Sequence, residues 1–162
     1  MIMTMTDNQP SVVDSDEFTV RRTVTIAAPI EKVWAAVTEP EHISRWFGQT
    51  TGFDELAVGA RGAFSFEGYG TIPVLIEELD PPHAVAFRWG NESGQAIDPD
   101  RVDPEHSTVF RFTLEAIDSG TRLTVVESGF GTLSSPAASM ESNRTGWDEQ
   151  LDKLVAYFEG GS

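Results

Sequence analysis

Glu127 is the side chain best placed for chemistry. In the run 121–128 (TRLTVVES), Leu123, Val125 and Glu127 share one face of a strand by its two-residue period. If the leucine and valine face the core, so does the carboxylate, and a buried carboxylate needs partners. Two roles are open to it. It is a strand-end acid hydrogen-bonded to a backbone group or an Arg, or it is a cavity acid that orients a ligand or serves as a general base, helped by Tyr69 or Asn143. Aromatic residues gather in phase with it. Phe87, Trp89, Phe110 and Phe112 fall on inward strand positions, while Trp46, Phe47 and Trp147 lie on helical stretches facing the same space. Met140 and Asn143 fall at the mouth of that space. Such a set is either ordinary core or the wall of a small-molecule site, which is commonly aromatic with few polar groups.

Other chemistries find little support. His42, His83 and His106 show no i, i+4 pairing and no adjacent second ligand, so no metal site is expected. The absence of Cys removes disulfides, thiolate ligands and a Cys nucleophile. Glu127-Ser128-Gly129 does not fit a nucleophile elbow. Gly59-Ala60-Arg61-Gly62 and Gly68-Tyr69-Gly70 lack phosphate-loop spacing and read as turns. No cofactor is expected.

The elements that must position these residues can be read from periodicity. Phe18, Val20, Val24 and Ile26 alternate with polar residues as a first strand. Pro29 opens a helix with an apolar stripe of Ile30, Val33, Trp34 and Val37. Thr38 and Glu41 fit a capping box for a second short helix carrying Ile43, Trp46 and Phe47. Strands are predicted over 61–68, 71–79, 83–89, 107–117 and 121–128, with one more possible around Leu56. Tyr69-Gly70 and Asp118-Ser119-Gly120 read as hairpin turns, and Pro73 reads as a strand edge or bulge. Glu67, Arg88 and Arg111 fall on outward phases. Ser135 and Pro136 begin a long last helix bearing Trp147, Leu151, Leu154, Val155 and Phe158. Within it, Gly146 marks a kink or a close approach to the sheet. Short connections make the sheet antiparallel. The fold class is α+β, a curved antiparallel sheet wrapped around the long C-terminal helix, with two short helices after the first strand.

Charge and length bound the rest. The 162 residues carry 26 Asp and Glu against 11 Lys and Arg, a net charge of −15. Such a field repels nucleic acid and anionic membrane. No run approaches the length of a membrane span, and no signal peptide is visible, so the expected location is cytoplasmic. Residues 1–17 hold Asp7, Asp14, Asp16 and Glu17 without a base and read as a flexible acidic tail. Residues 18–162 then form one domain. Within it, 91–105 (NESGQAIDPDRVDPE) reads as a long acidic loop.

Three stretches carry a resemblance: APIEKVWAAVTEPEHISRWFG at 28–48, GTIPVLIEELDPPHAVAFRWG at 70–90 and GWDEQLDKL at 146–154. With the element order, they resemble the START-like (birch-pollen-allergen-like, helix-grip) superfamily, and within it the activator of heat-shock protein 90 ATPase homologue-like, or polyketide cyclase-like, group. The resemblance implies a helix-grip fold and binding of a small hydrophobic or amphipathic molecule between sheet and C-terminal helix. On that reading Trp46, Phe47, Phe87, Trp89, Phe110, Phe112, Met140, Asn143 and Trp147 line the ligand site, with Glu127 as the candidate catalytic acid. A cyclase, dehydratase or hydrolase, and a chaperone-associated module, are the alternatives. The partners expected are a small hydrophobic molecule, a basic protein partner met through the acidic surface and tail, or a second copy met through a helix face.

Overall fold

In the computed structural model, residues 9–47, 49–51, 53, 55–66, 70–90 and 107–160 are described. The expectations for residues 1–8, Glu67, Tyr69, the 91–105 loop and His106 lie outside them. Along the chain run β1 (Val12–Asp14), β2 (Thr19–Ile26), α1 (Ile30–Thr38), α2 (Pro40–Trp46), β3 (Gln49–Thr51), β4 (Arg61–Phe66), β5 (Gly70–Asp80), β6 (Ala84–Gly90), β7 (Ser107–Ile117), β8 (Gly120–Ser128) and α3 (Pro136–Gly160). A 3-10 turn at Phe130–Thr132 leads into α3.

All strands pair antiparallel in one curved sheet, in the order β1-β2-β8-β7-β6-β5-β4-β3. The α+β helix-grip architecture expected from the sequence is the one observed. Alternation decides the faces. In β8, Leu123, Val125 and Glu127 are buried on the inner face, and Val20, Val24 and Ile26 of β2 join them. Phe64, Phe87, Phe110 and Phe112 extend this inner layer, onto which α3 places Met140, Trp147, Leu151 and Leu154.

Several local expectations change. Val12–Asp14, inside the stretch expected as a tail, pairs with Asp14↔Thr19 and Val12↔Arg21 as an outer strand. Phe18 does not belong to the first strand: it has φ 54° and stays 40% exposed, its ring covering Gly131. The Thr38 capping box does not form. The Thr38 hydroxyl donates back to the Trp34 carbonyl at 2.7 Å, and Glu39 caps α2 without a side-chain bond. Pro40, as the first residue of α2, suits a position whose N–H needs no partner.

No strand forms at Leu56, which is exposed, and the extra strand is instead β3. Pro73 lies in β5, paired to Ala63 of β4, at a point where pairing to β6 has already ended at Val74↔Trp89. Gly90 of β6 lies beside it, but the proline has no N–H for the ladder, and the described β5–β6 pairing stops one residue short of it. The bulge of β5 comes later, at Ile76–Glu78, and the sheet's true edges are β1 and β3. A Cβ at Gly146 would meet nothing within 4 Å, so this glycine marks no close approach to the sheet.

Candidate functional site

β8 carries Glu127 to the inner face near its end, in register with Val20 on one side and Phe110 on the other. Its side chain is fully buried, 0% exposed. Four neutral side chains from three elements donate to it. Trp147 Nε1 of α3 reaches Oε1 at 2.8 Å, and Trp89 Nε1 of β6 reaches Oε2 at 2.9 Å. Asn143 Nδ2, one helical turn before Trp147, spans both oxygens at 2.9 and 3.0 Å. The Thr108 hydroxyl of β7 donates to Oε2 as well. Both carboxylate oxygens thus accept hydrogen bonds. The sequence reading expected a backbone group or an Arg as the structural partner. Indoles, an amide and a hydroxyl are among its partners.

Around this acceptor stand aromatic rings. Phe47, at the end of α2, stacks on Trp89 with centroids 5.7 Å apart and planes at 24°, and on Trp147 at 5.7 Å and 12°. The two indoles are 6.2 Å apart, closing a triangle. Phe110 meets Trp89 at 4.7 Å and stacks on Phe87 at 5.2 Å. Trp46 and Phe112 lie 6.4 Å apart at the next layer, where Trp46 Nε1 donates to the Ala36 carbonyl at 2.7 Å. Met140 is buried within the same core, and Asn143 is half-buried. Trp46, Phe47, Phe87, Trp89, Phe110, Phe112, Met140, Asn143 and Trp147 thus gather with Glu127 in one part of the core, while Tyr69 lies outside the described residues. It also fills the space between them with rings. Two concavities, of about 480 and 510 Å³, lie elsewhere, on the outer sheet face and beside the Asp118–Gly120 turn.

Arg22 was missed by the sequence reading. It falls in the inward phase of β2 between Val20 and Val24, and its side chain is only 4% exposed. Its Nη1 donates to the Asp148 carbonyl of α3 at 2.9 Å and its Nη2 to Asp152 Oδ1 at 2.8 Å. Nε donates to the Gln9 carbonyl at 2.9 Å. Ser11 adds two bonds to Asp148 Oδ1, at 2.7 Å from its N–H and 2.8 Å from its hydroxyl. The N-terminal strand is thereby fastened to α3 just beyond Trp147. A charged residue in an apolar strand register was the available signal. His42 pairs with the Tyr157 hydroxyl at 3.0 Å, joining α2 to α3. Among the described residues no group of three His, Cys, Asp or Glu side chains is placed to hold a metal.

A curved antiparallel sheet gripping a long C-terminal helix defines the class, the helix-grip α+β domains. Residues 27–159 match the family described as Activator of Hsp90 ATPase homolog 1-like protein, and the chain belongs to that family. No curated protein matches the sequence. Among solved structures, protein MLL2253 from Mesorhizobium loti is similar at 25% identity, with a TM-score of 0.74, covering 89% of this chain and 98% of the other. DynU16, described as a putative protein in the dynemicin biosynthetic locus, matches at 25% identity and a TM-score of 0.71. That match covers 89% of this chain and spans 48% of DynU16. CalU16 from Micromonospora echinospora shares the fold at 20% identity and a TM-score of 0.67, over 97% of this chain and 86% of its own. No helix among the described residues is long and apolar enough to cross a membrane.

Proposed function

We propose that this domain binds a small amphipathic molecule, an apolar ring system carrying a hydroxyl donor, at the aromatic cluster around Glu127. The observation that carries the reading is an acceptor carboxylate set at full burial among stacked rings, with half-buried Asn143 as its outermost partner. Ring faces suit a flat apolar ligand. A ligand hydroxyl joins this carboxylate by taking the place of a present donor, and half-buried Asn143 is the one to give way. Because the rings fill the space, a ligand enters by displacing one of them. Phe47 is the ring to move: it ends α2 with φ −104° and ψ −87°, outside the helical region, and stacks on both indoles. The printed description of DynU16, a protein of a small-molecule biosynthetic locus, is compatible with this class of ligand.

A general-base role for Glu127 has weaker support, since both oxygens already accept from fixed donors and turnover would require breaking that set. Native mass spectrometry of the freshly purified chain tests the binding reading. The expected result is a small aromatic molecule retained one to one, either co-purified or added as 2-naphthol. A chain that stays bare after incubation with 2-naphthol overturns it.

A further inference from the structure

The outer face of the sheet carries a second feature, on the side opposite Glu127. Arg21, Val126 and Arg111 stand in register across β2, β8 and β7, and Thr23, Thr124 and Thr113 form the next row. These six residues line the concavity of about 480 Å³, a size in the range of small-molecule sites. Two strand spacings separate the arginine Cα atoms, about 10 Å, a gap that two extended side chains close from either side over the Val126 floor.

The arginines differ in their commitments. Across this face Arg88 pairs with Glu77, Arg122 with Glu115 and Arg111 with Glu78. Arg111 spends Nε and Nη2 on Glu78 at 2.7 and 2.9 Å. Its Nη1 has no described partner. Arg21 is exposed and has no acidic partner among the described residues, although the chain carries an excess of acids. Val12 and Val126 flank it in register, so its neighbours on both sides are apolar. The threonine row adds a donor. Thr23 and Thr124 hydroxyls are 2.8 Å apart. One donates to the other, and the accepting hydroxyl keeps its own proton for a third group.

We propose that this concavity is a binding site for a small oxyanion-bearing molecule, a carboxylate or a phosphate, held by Arg21 and the free edge of Arg111 with the threonine hydroxyls beneath it. Guanidinium forks match both oxyanions in shape and charge. Glu78 acts against it, since it occupies the side of Arg111 that an oxyanion would use.

The test is a titration of the full chain with inorganic phosphate and, separately, succinate, followed by backbone and arginine NMR at low salt. Saturable shifts at Arg21, Arg111 and the three threonines are expected with at least one probe, and the probe that saturates identifies the oxyanion. Arg21→Gln should weaken that binding about tenfold, the usual worth of a charge-assisted bond. Glu78→Gln should tighten it several-fold by releasing Arg111, an opposite effect that loss of folding would not produce. No saturable shift with either probe, equal affinity in Arg21→Gln, or no gain in Glu78→Gln would overturn the assignment.

Discussion

Trp147 of α3 donates its indole N–H to Glu127 of β8 at 2.8 Å, a buried hydrogen bond that ties the long helix to the sheet inside a ring cluster. Asn143 of the same helix donates to the same carboxylate, and Arg22 of β2 adds bonds to α3 on the other side. Replacing Trp147 with Phe keeps a ring but removes the donor, and should lower unfolding free energy by about 1–3 kcal/mol because a buried acceptor loses a partner. Trp147→Ala should cost about 3–5 kcal/mol through the added cavity. Urea unfolding of the three proteins measures both.

Glu127→Gln is not a quiet substitution here. The new amide NH₂ must face donors, since Trp89, Thr108, Asn143 and Trp147 all point hydrogens at this side chain. A loss of about 1–3 kcal/mol is expected. A change in activity in this variant therefore needs a stability control beside it.

Two glycines should respond in opposite directions. Gly120 has φ +142°, and a Cβ there would lie 2.1 Å from the Ile26 carbonyl oxygen. Gly120→Ala should cost about 3 kcal/mol or more, combining backbone strain with a clash. Gly146 sits within α3 with open space around its Cβ position. Gly146→Ala should stabilise by about 1 kcal/mol. Thermal denaturation of both variants reads the difference.

Arg22 should prove structural through the N-terminal strand. In Arg22→Met the bonds to Gln9, Asp148 and Asp152 are lost together. Because Asp152 is largely exposed, the cost should be about 2 kcal/mol, below that of an enclosed pair. Hydrogen exchange should quicken in Val12–Asp14 first, where pairing is shortest.

The outer-face pair gives a pH signature. Hydrogen bonding from Arg111, aided by its charge, holds the Glu78 carboxyl below its ordinary value of 4.5. A depressed folded-state pKa contributes stability above the unfolded value and loses it as pH falls through the folded one. The stability gap between wild type and Glu78→Gln should thus be steady above pH 4.5 and shrink below it. Both groups are exposed, so the gap itself is small.

The inward phase of β8 put Glu127 in the core on periodicity alone, and the same rule selected Phe87, Trp89, Phe110 and Phe112. What the period could not give was the partner set, because Asn143 and Trp147 reach the carboxylate from a helix separated by the turn at Phe130–Thr132. Nor could it show that the rings touch, since centroid distances depend on rotamers. Arg22 escaped because an arginine between two valines breaks the apolar pattern that identifies a strand face. The tail boundary moved for a related reason: a three-residue strand is too short for alternation to reveal.

The proposed ligand is an amphipathic ring compound bound at Glu127. The most direct test is NMR of the indole N–H signals during titration with 2-naphthol. The Trp89 and Trp147 indoles and the Asn143 side-chain amide should shift together and saturate, while the Trp34 indole on α1 stays in place. Signals from Trp89, Trp147 and Asn143 that do not move, or that move no more than Trp34, would contradict it.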